Sequence, residues 1–158
     1  MAQRENQRAP TRLELDAYNK ILALAKYSME VCKPKQKKDK QGNFHDSKHH
    51  IPMRYSKIGD YINTTIMEFG AEILEANELY VGGNLNAEDR KQNIDRRIRL
   101  QTNAIAKTYK TEHCIRVLHE HRPFADSTIT YWIYLLVTAR DSMKKWKDSD
   151  VKMRRKLL

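Results

Sequence analysis

Residues that interrupt a chain are scarce here: 158 positions hold five glycines and four prolines. An all-β fold needs turn residues every ten or so positions, so that class is excluded and few, long elements are expected. Cysteine is almost absent too. Cys32 and Cys114 form no CxxC pair and are too few for a disulfide framework, so both are expected as reduced thiols in or near a core. No run of eighteen apolar residues occurs, and the start Met1-Ala2-Gln3-Arg4-Glu5-Asn6 has no hydrophobic signal region. The expectation is a cytoplasmic chain with no membrane contact. There is also no GxSxG, no phosphate-cradling glycine loop and no HExxH, so no enzyme activity and no cofactor are expected.

What is abundant is positive charge, +10 overall, and it is localised. Lys33 to His50 carries six lysines against Asp39 and Asp46, a net of +4. Lys144 to Leu158 carries seven basic residues against Asp148 and Asp150, a net of +5. Clustered cations suit a polyanion, because each neutralised phosphate releases condensed counterions. The alternative is a pair of solvated, solubilising basic segments.

Apolar residues at three- and four-residue spacing mark four helices. The first starts near Arg12, follows Leu13, Ala17, Ile21, Leu24 and Ser28 or Met29, and stops at Lys33-Pro34. The second opens at Ile51-Pro52 and follows Ile58, Ile62, Thr65 or Ile66, Phe69, Ile73, Ala76 and Leu79 or Tyr80, until Val81-Gly82-Gly83-Asn84 breaks it. Asn86 is the expected N-cap of the third, with Glu88 and Asp89 in its first turn. Its stripe is Ile94, Ile98, Gln101, Ile105, Thr108, Ile115 and Leu118, ending before Arg122-Pro123. Asp126 or Ser127 is expected to cap the fourth, with a stripe of Ile129, Trp132, Ile133, Leu136, Ala139, Met143 and Trp146.

The expected fold is therefore all-α, an antiparallel up-down-up-down four-helix bundle over residues 12–147. Around it lie a frayed start (1–11), a basic loop (33–50) and a basic C-terminal tail (148–158). Within 33–50 the only large apolar residue is Phe44, so that segment is expected to be long and flexible. Tyr55, Tyr61 and Met67 on the second helix, and Tyr131, Tyr134, Leu135 and Val137 on the fourth, lie off the main stripes. They point either to a wide core stripe or to contact with a second subunit, hence a homo-oligomer.

The run Ile51-Pro52-x-Arg54-Tyr55-x-x-Ile58-Gly59-x-x-Ile62, continuing through Glu68 to Ile73-Leu74-Glu75-Ala76-Asn77, resembles the accessory variability determinant (Avd) proteins of diversity-generating retroelements. Four-helix proteins encoded within intervening sequences of bacterial 23S ribosomal RNA genes share that architecture. Arg90-Lys91, Arg140 and Trp146 also sit where the family tends to place similar residues, and the resemblance spans about residues 13–147. The loop from Lys33 to His50 and the extension after Trp146 exceed the family pattern. The resemblance implies a bacterial or phage-encoded homopentamer with a positive surface and no catalytic site. It further implies a reverse transcriptase partner and a structured template RNA, with complementary DNA as a further polyanion, in support of mutagenic cDNA synthesis. No individual RNA-contacting residue carries over.

Candidate nucleic-acid contacts come instead from the residues themselves. Arg90, Lys91, Arg96, Arg97 and Arg99 crowd the start of the third helix, with Lys107 and Lys110 further along. Lys35, Lys37, Lys38 and Lys40 lie in the loop, and Lys144, Lys145, Lys147, Arg154 and Arg155 at the C-terminal end. Arginine forks bind phosphate bidentately and stack on bases, which suits an RNA backbone. The rival for the third-helix cluster is a solvated face paired with Glu88, Asp89 and Asp95. Metal readings are weaker. His45, His49 and His50 with Asp46 lack a rigid ligand spacing, and His113 and Cys114 point about 100° apart on a helix. Glu68, Glu72 and Glu75 lack the Glu-x-x-His partners of a di-iron bundle and are expected to pair with basic neighbours. Rival functions are a stand-alone ribosomal-RNA-associated bundle and a purely structural oligomer.

Overall fold

The computed structural model describes residues 12–121 and 125–157; the expected frayed start and Arg122-Pro123 lie outside them. Four helices dominate: α1 (Arg12–Val31), α2 (Ser56–Glu78), α3 (Ala87–His121) and α4 (Asp126–Lys156). α1 packs against α2 and α4, and α3 packs against the same two. None of the helices among the described residues is long and apolar enough to cross a membrane.

The periodic stripes become the core. Leu24, Ile62, Ile66, Phe69, Ile73, Ile94, Ile115, Leu118, Trp132, Leu136 and Trp146 are fully buried, each contributing roughly 1.5–3 kcal/mol of transfer free energy. Gly70 lets α1 and α2 approach closely, since a Cβ there would lie 3.2 Å from Ile21 Cγ2, and Gly59 does the same for the chain beyond α1, with Cys32 Cβ and Ile51 Cδ1 each at 3.2 Å. Both cysteines are free. Burial pushes the Cys32 thiol up to about 12 and raises that of Cys114 as well.

Some boundaries differ from the sequence reading. Asn86 does cap α3, its Oδ1 accepting from the Asp89 N–H at 2.8 Å. α4 is instead capped at Ala125, without a side-chain bond, and Asp126 is its first residue. Pro52 precedes a 3₁₀ turn (Met53–Tyr55) that leads into α2 at Ser56. The α3 stripe also runs differently: Arg97, Ala104 and Thr111 are buried where Ile98 and Ile105 are only half-buried.

Two larger expectations are overturned. The segment 33–50 is not a flexible loop, and the described chain is not purely α. β1 (Gln36–Lys38) and β2 (Phe44–Asp46) pair antiparallel, with Lys37 opposite His45. Polar turn chemistry orders this hairpin where apolar burial does not. The Asp39 carboxylate accepts from the amides of Gln41 and Asn43, each at 2.9 Å, and Gly42 takes φ +85°. The hairpin is then docked. The Ile51 N–H donates to Val31 O at 2.8 Å, the Ala125 N–H donates to Lys48 O at 3.0 Å, and His49 Nδ1 lies 2.7 Å from Thr128 Oγ1.

Nor do residues 148–156 form a separate tail. α4 continues through them, with Asp150 buried and Arg154, Arg155 and Lys156 in its last turn, where cations complement the helix dipole.

Candidate nucleic-acid interface

The contact between α3 and α4 is laced with polar side chains. Arg154 Nε donates to Asp95 Oδ1 at 2.6 Å, and Lys144 Nζ donates to Tyr109 Oη at 2.8 Å. Arg140 donates from Nε to Thr108 Oγ1 at 2.8 Å and from Nη2 to Glu112 Oε1 at 2.9 Å, while Arg116 takes the other Glu112 oxygen at 3.2 Å. Residues seven apart share a helix face, so 95, 102, 109 and 116 of α3 form one rim of this seam. Lys144, Lys147, Val151 and Arg154 form the other. Adding Glu88 and Lys91 before Asp95 and Glu120 after Arg116, the seam holds Lys91, Arg116, the buried Arg140, Lys144, Lys147 and Arg154 against Glu88, Asp95, Glu112 and Glu120, a net of +2.

Tyr109 stands in the middle of the seam, 48% exposed. The Arg140 guanidinium carbon lies 3.8 Å from its ring centroid and Lys144 Nζ 5.4 Å. Burial of Glu112 raises its carboxyl pKa, but the hydrogen bonds from Arg140 and Arg116 outweigh this and hold it below the ordinary 4.5. Glu112 therefore remains an anion that fixes both arginines.

Of the residues singled out from sequence on α3 and α4, those outside the seam fall into four groups. Arg97 is not a phosphate contact: it is 4% exposed, bonded to the buried Asp150, with its guanidinium carbon 5.1 Å from the Trp146 ring centroid. Arg96 and Lys107 are engaged by Glu75 and Glu72, the pairing expected of those glutamates. Arg90 is half-buried, with Nε lacking a hydrogen-bond partner among the described residues. In contrast, Arg99, Lys110, Lys145 and Arg155 are exposed, and none of them forms an ion pair among the described residues.

The hairpin lysines lie elsewhere. Lys35 pairs with Glu30, Lys38 Nζ sits 5.8 Å from the Phe44 ring centroid, and Lys37 and Lys40 are exposed. Since the hairpin docks at Thr128 and the seam runs from Arg140 to Arg154, α4 places the seam about 18–39 Å from that docking point at 1.5 Å per residue. The structure thus splits the predicted set between two ends of the molecule. Sequence reasoning missed Tyr109 and Arg116, which the seven-residue spacing from Asp95 marks. The loop histidines go three ways: His45 to Asp39, His49 to Thr128, and His50 to Ser47.

Fold and seam together define a helical protein with a cationic, tyrosine-bearing seam between two helices. Comparison with protein-family models, curated proteins and solved structures finds no match for this chain.

Proposed function

We propose that the chain is a non-enzymatic nucleic-acid-binding subunit that holds RNA along the α3–α4 seam. The observation that carries this reading is the row of Lys91, Arg116, Lys144, Lys147 and Arg154 along the seam that bears the half-exposed Tyr109, of which only Arg116 and Arg154 form ion pairs among the described residues. Arginine and lysine at fixed spacing recognise the phosphate geometry of an RNA backbone, with selectivity set by shape rather than by base edges.

The bundle is up-down-up-down on this reading. Supporting it, α3–α4 partners run in opposite order (95 with 154, 97 with 150, 109 with 144, 112 with 140), as do Lys20 with Ser142 and Tyr27 with Thr128 between α1 and α4. The subunit is a homo-oligomer. Leu15, Leu22 and Met29 recur every seven residues on the exposed side of α1 beside α2, and Met67 and Leu74 do so on α2 beside α1. This apolar edge lies across the bundle from the cationic seam, so self-association leaves the seam open. The resemblance to Avd proteins supplies the rest of the proposal: a pentamer in the cytoplasm of a bacterial host, with a reverse transcriptase and its template RNA as partners.

The test is a salt titration of RNA binding by the full chain, with and without Lys144→Glu and Lys147→Glu. Removing about two phosphate contacts should make the slope of log affinity against log salt shallower by about 1.4–1.8. A wild-type affinity that does not change with salt sinks the reading. Truncation after Trp146 is the wrong probe, since it removes the buried Asp150 along with the cations. Co-purification of a reverse transcriptase with the tagged chain tests the accessory role.

A further inference from the structure

At the hairpin end, α1 and α4 leave a groove of about 350 Å³, in the size range of a small-molecule site and walled in part by tyrosines. It is lined by Ala23, Lys26, Tyr27, Glu30, Tyr131 and Leu135. The Tyr27 ring meets the Tyr131 ring edge-on at 4.8 Å, and the Tyr27 hydroxyl donates to Thr128 O at 3.4 Å, so Tyr131 is propped from behind. Tyr134, one turn on, holds its ring within 24° of the Tyr131 plane at 6.2 Å. Both rings are open to solvent, Tyr131 at 49% and Tyr134 at 60%.

Charge surrounds these rings asymmetrically. Glu30 is the acid in the groove wall, and Lys35 and His50 both reach it. Lys26, one turn earlier on the same α1 wall, is exposed and forms no ion pair among the described residues. The hairpin beyond, with Lys37, Lys38 and Lys40, belongs to a segment of net +4. Aromatic faces beside a cationic track fit one ligand chemistry. Bases stack on the rings whatever their identity, and the lysines follow the phosphates. A paired strand cannot use such a platform, because its bases are already stacked.

We propose that the Tyr131–Tyr134 platform and the basic hairpin form a second nucleic-acid site, selective for an unpaired stretch of RNA and separate from the α3–α4 seam. This rests on the RNA-binding reading above and adds to it a division of labour. The seam holds backbone irrespective of pairing, and the platform holds unstacked bases on another face of α4, with Tyr134 about 30 Å along the helix from the seam's far end at Arg154.

The experiment compares a short unstructured CA-repeat RNA with a blunt RNA duplex on the full chain. Tyr134→Ala, at an exposed position that should fold normally, is expected to weaken CA-repeat binding about five- to tenfold and to leave duplex binding unchanged. Tyr134→Phe, which keeps the ring, should bind as wild type. Tyr131→Ala with Tyr134→Ala should lose more, provided its far-ultraviolet circular dichroism matches wild type. Unchanged CA-repeat affinity in Tyr134→Ala overturns the proposal while seam binding to duplex stands. An equal loss on duplex, or a fall in solution mass in place of an affinity change, also overturns it, the latter assigning the tyrosines to a second copy of the chain. If the wild-type protein binds neither RNA, the seam reading and the platform fail together.

Discussion

Arg97 of α3 and Asp150 of α4 are joined by two hydrogen bonds in the interior, Nε to Oδ2 at 3.0 Å and Nη2 to Oδ1 at 2.7 Å, although 53 residues separate them. Gln101 Nε2 donates to the same carboxylate at 2.7 Å, and Glu14 of α1 lies 3.4 Å from Arg97 Nη2. A charge cluster therefore ties three helices together near the start of α3. A fork geometry and a shared carboxylate offset the desolvation of burying these ions, but only while every member is present.

Asp150→Ala should accordingly destabilise the protein by about 3–5 kcal/mol, because it removes the bidentate partner of a buried guanidinium and leaves it only the longer ionic contact with Glu14. Urea unfolding measures the loss. A change within about 0.5 kcal/mol, the range of ordinary surface substitutions, would show that the pair is not buried as described. Asp148→Ala, two residues earlier on the exposed face, is the matched control.

The hairpin depends on one left-handed residue. Gly42→Ala places a Cβ at φ +85°, a conformation costing an L-residue about 1–2 kcal/mol. The expected result is faster amide exchange across Gln36–Lys38 and Phe44–Asp46, with the four helices unaffected. Unchanged exchange in the hairpin would count against this turn geometry.

Docking of the hairpin should also respond to pH through His50. Burial, reinforced by the charge of Lys35, depresses this imidazole below its ordinary 6.5, and Glu30 opposes that only in part. A depressed folded value means that the neutral form is favoured in the fold. The contribution to stability is complete above 6.5 and is lost as pH falls below it toward the folded value. Amide exchange at Ser47, whose hydroxyl meets His50 Nδ1 at 2.8 Å, should rise over that window in wild type. In His50→Gln it should not.

The apolar edge predicts how subunits meet. Leu22→Glu combined with Met67→Glu puts charge on side chains 48% and 67% exposed in the single chain, so the fold should survive. The mass in solution should drop to that of a monomer. An unchanged oligomer would place the interface elsewhere, and a monomeric wild type would remove the oligomer from the proposal.

Much of this architecture is legible in the residue order. Helix starts and stops depend on neighbours within one turn, so Asn86 as a cap and Lys33-Pro34 as a terminator read correctly. Stripes at 62, 66, 69, 73 and 76 likewise announce the buried face of α2. The hairpin is not legible in apolar patterning, because its order comes from Asp39, Gly42 and backbone bonds. Asp39 and Gly42 were visible as turn residues, but whether the turn docks depends on Ala125 and Thr128, some 80 residues away.

By itself, then, the sequence determined four long helices, their inward faces and an excess of lysine and arginine, since periodicity and composition are local properties. Only the tertiary structure decided what each cation does. Arg97, Arg96 and Arg99 lie within one turn of each other on paper, yet one is buried on Asp150, one is bound by Glu75, and one faces water. The fate of a charge depends on the carboxylate that another helix brings to it, and that partner is far away along the chain.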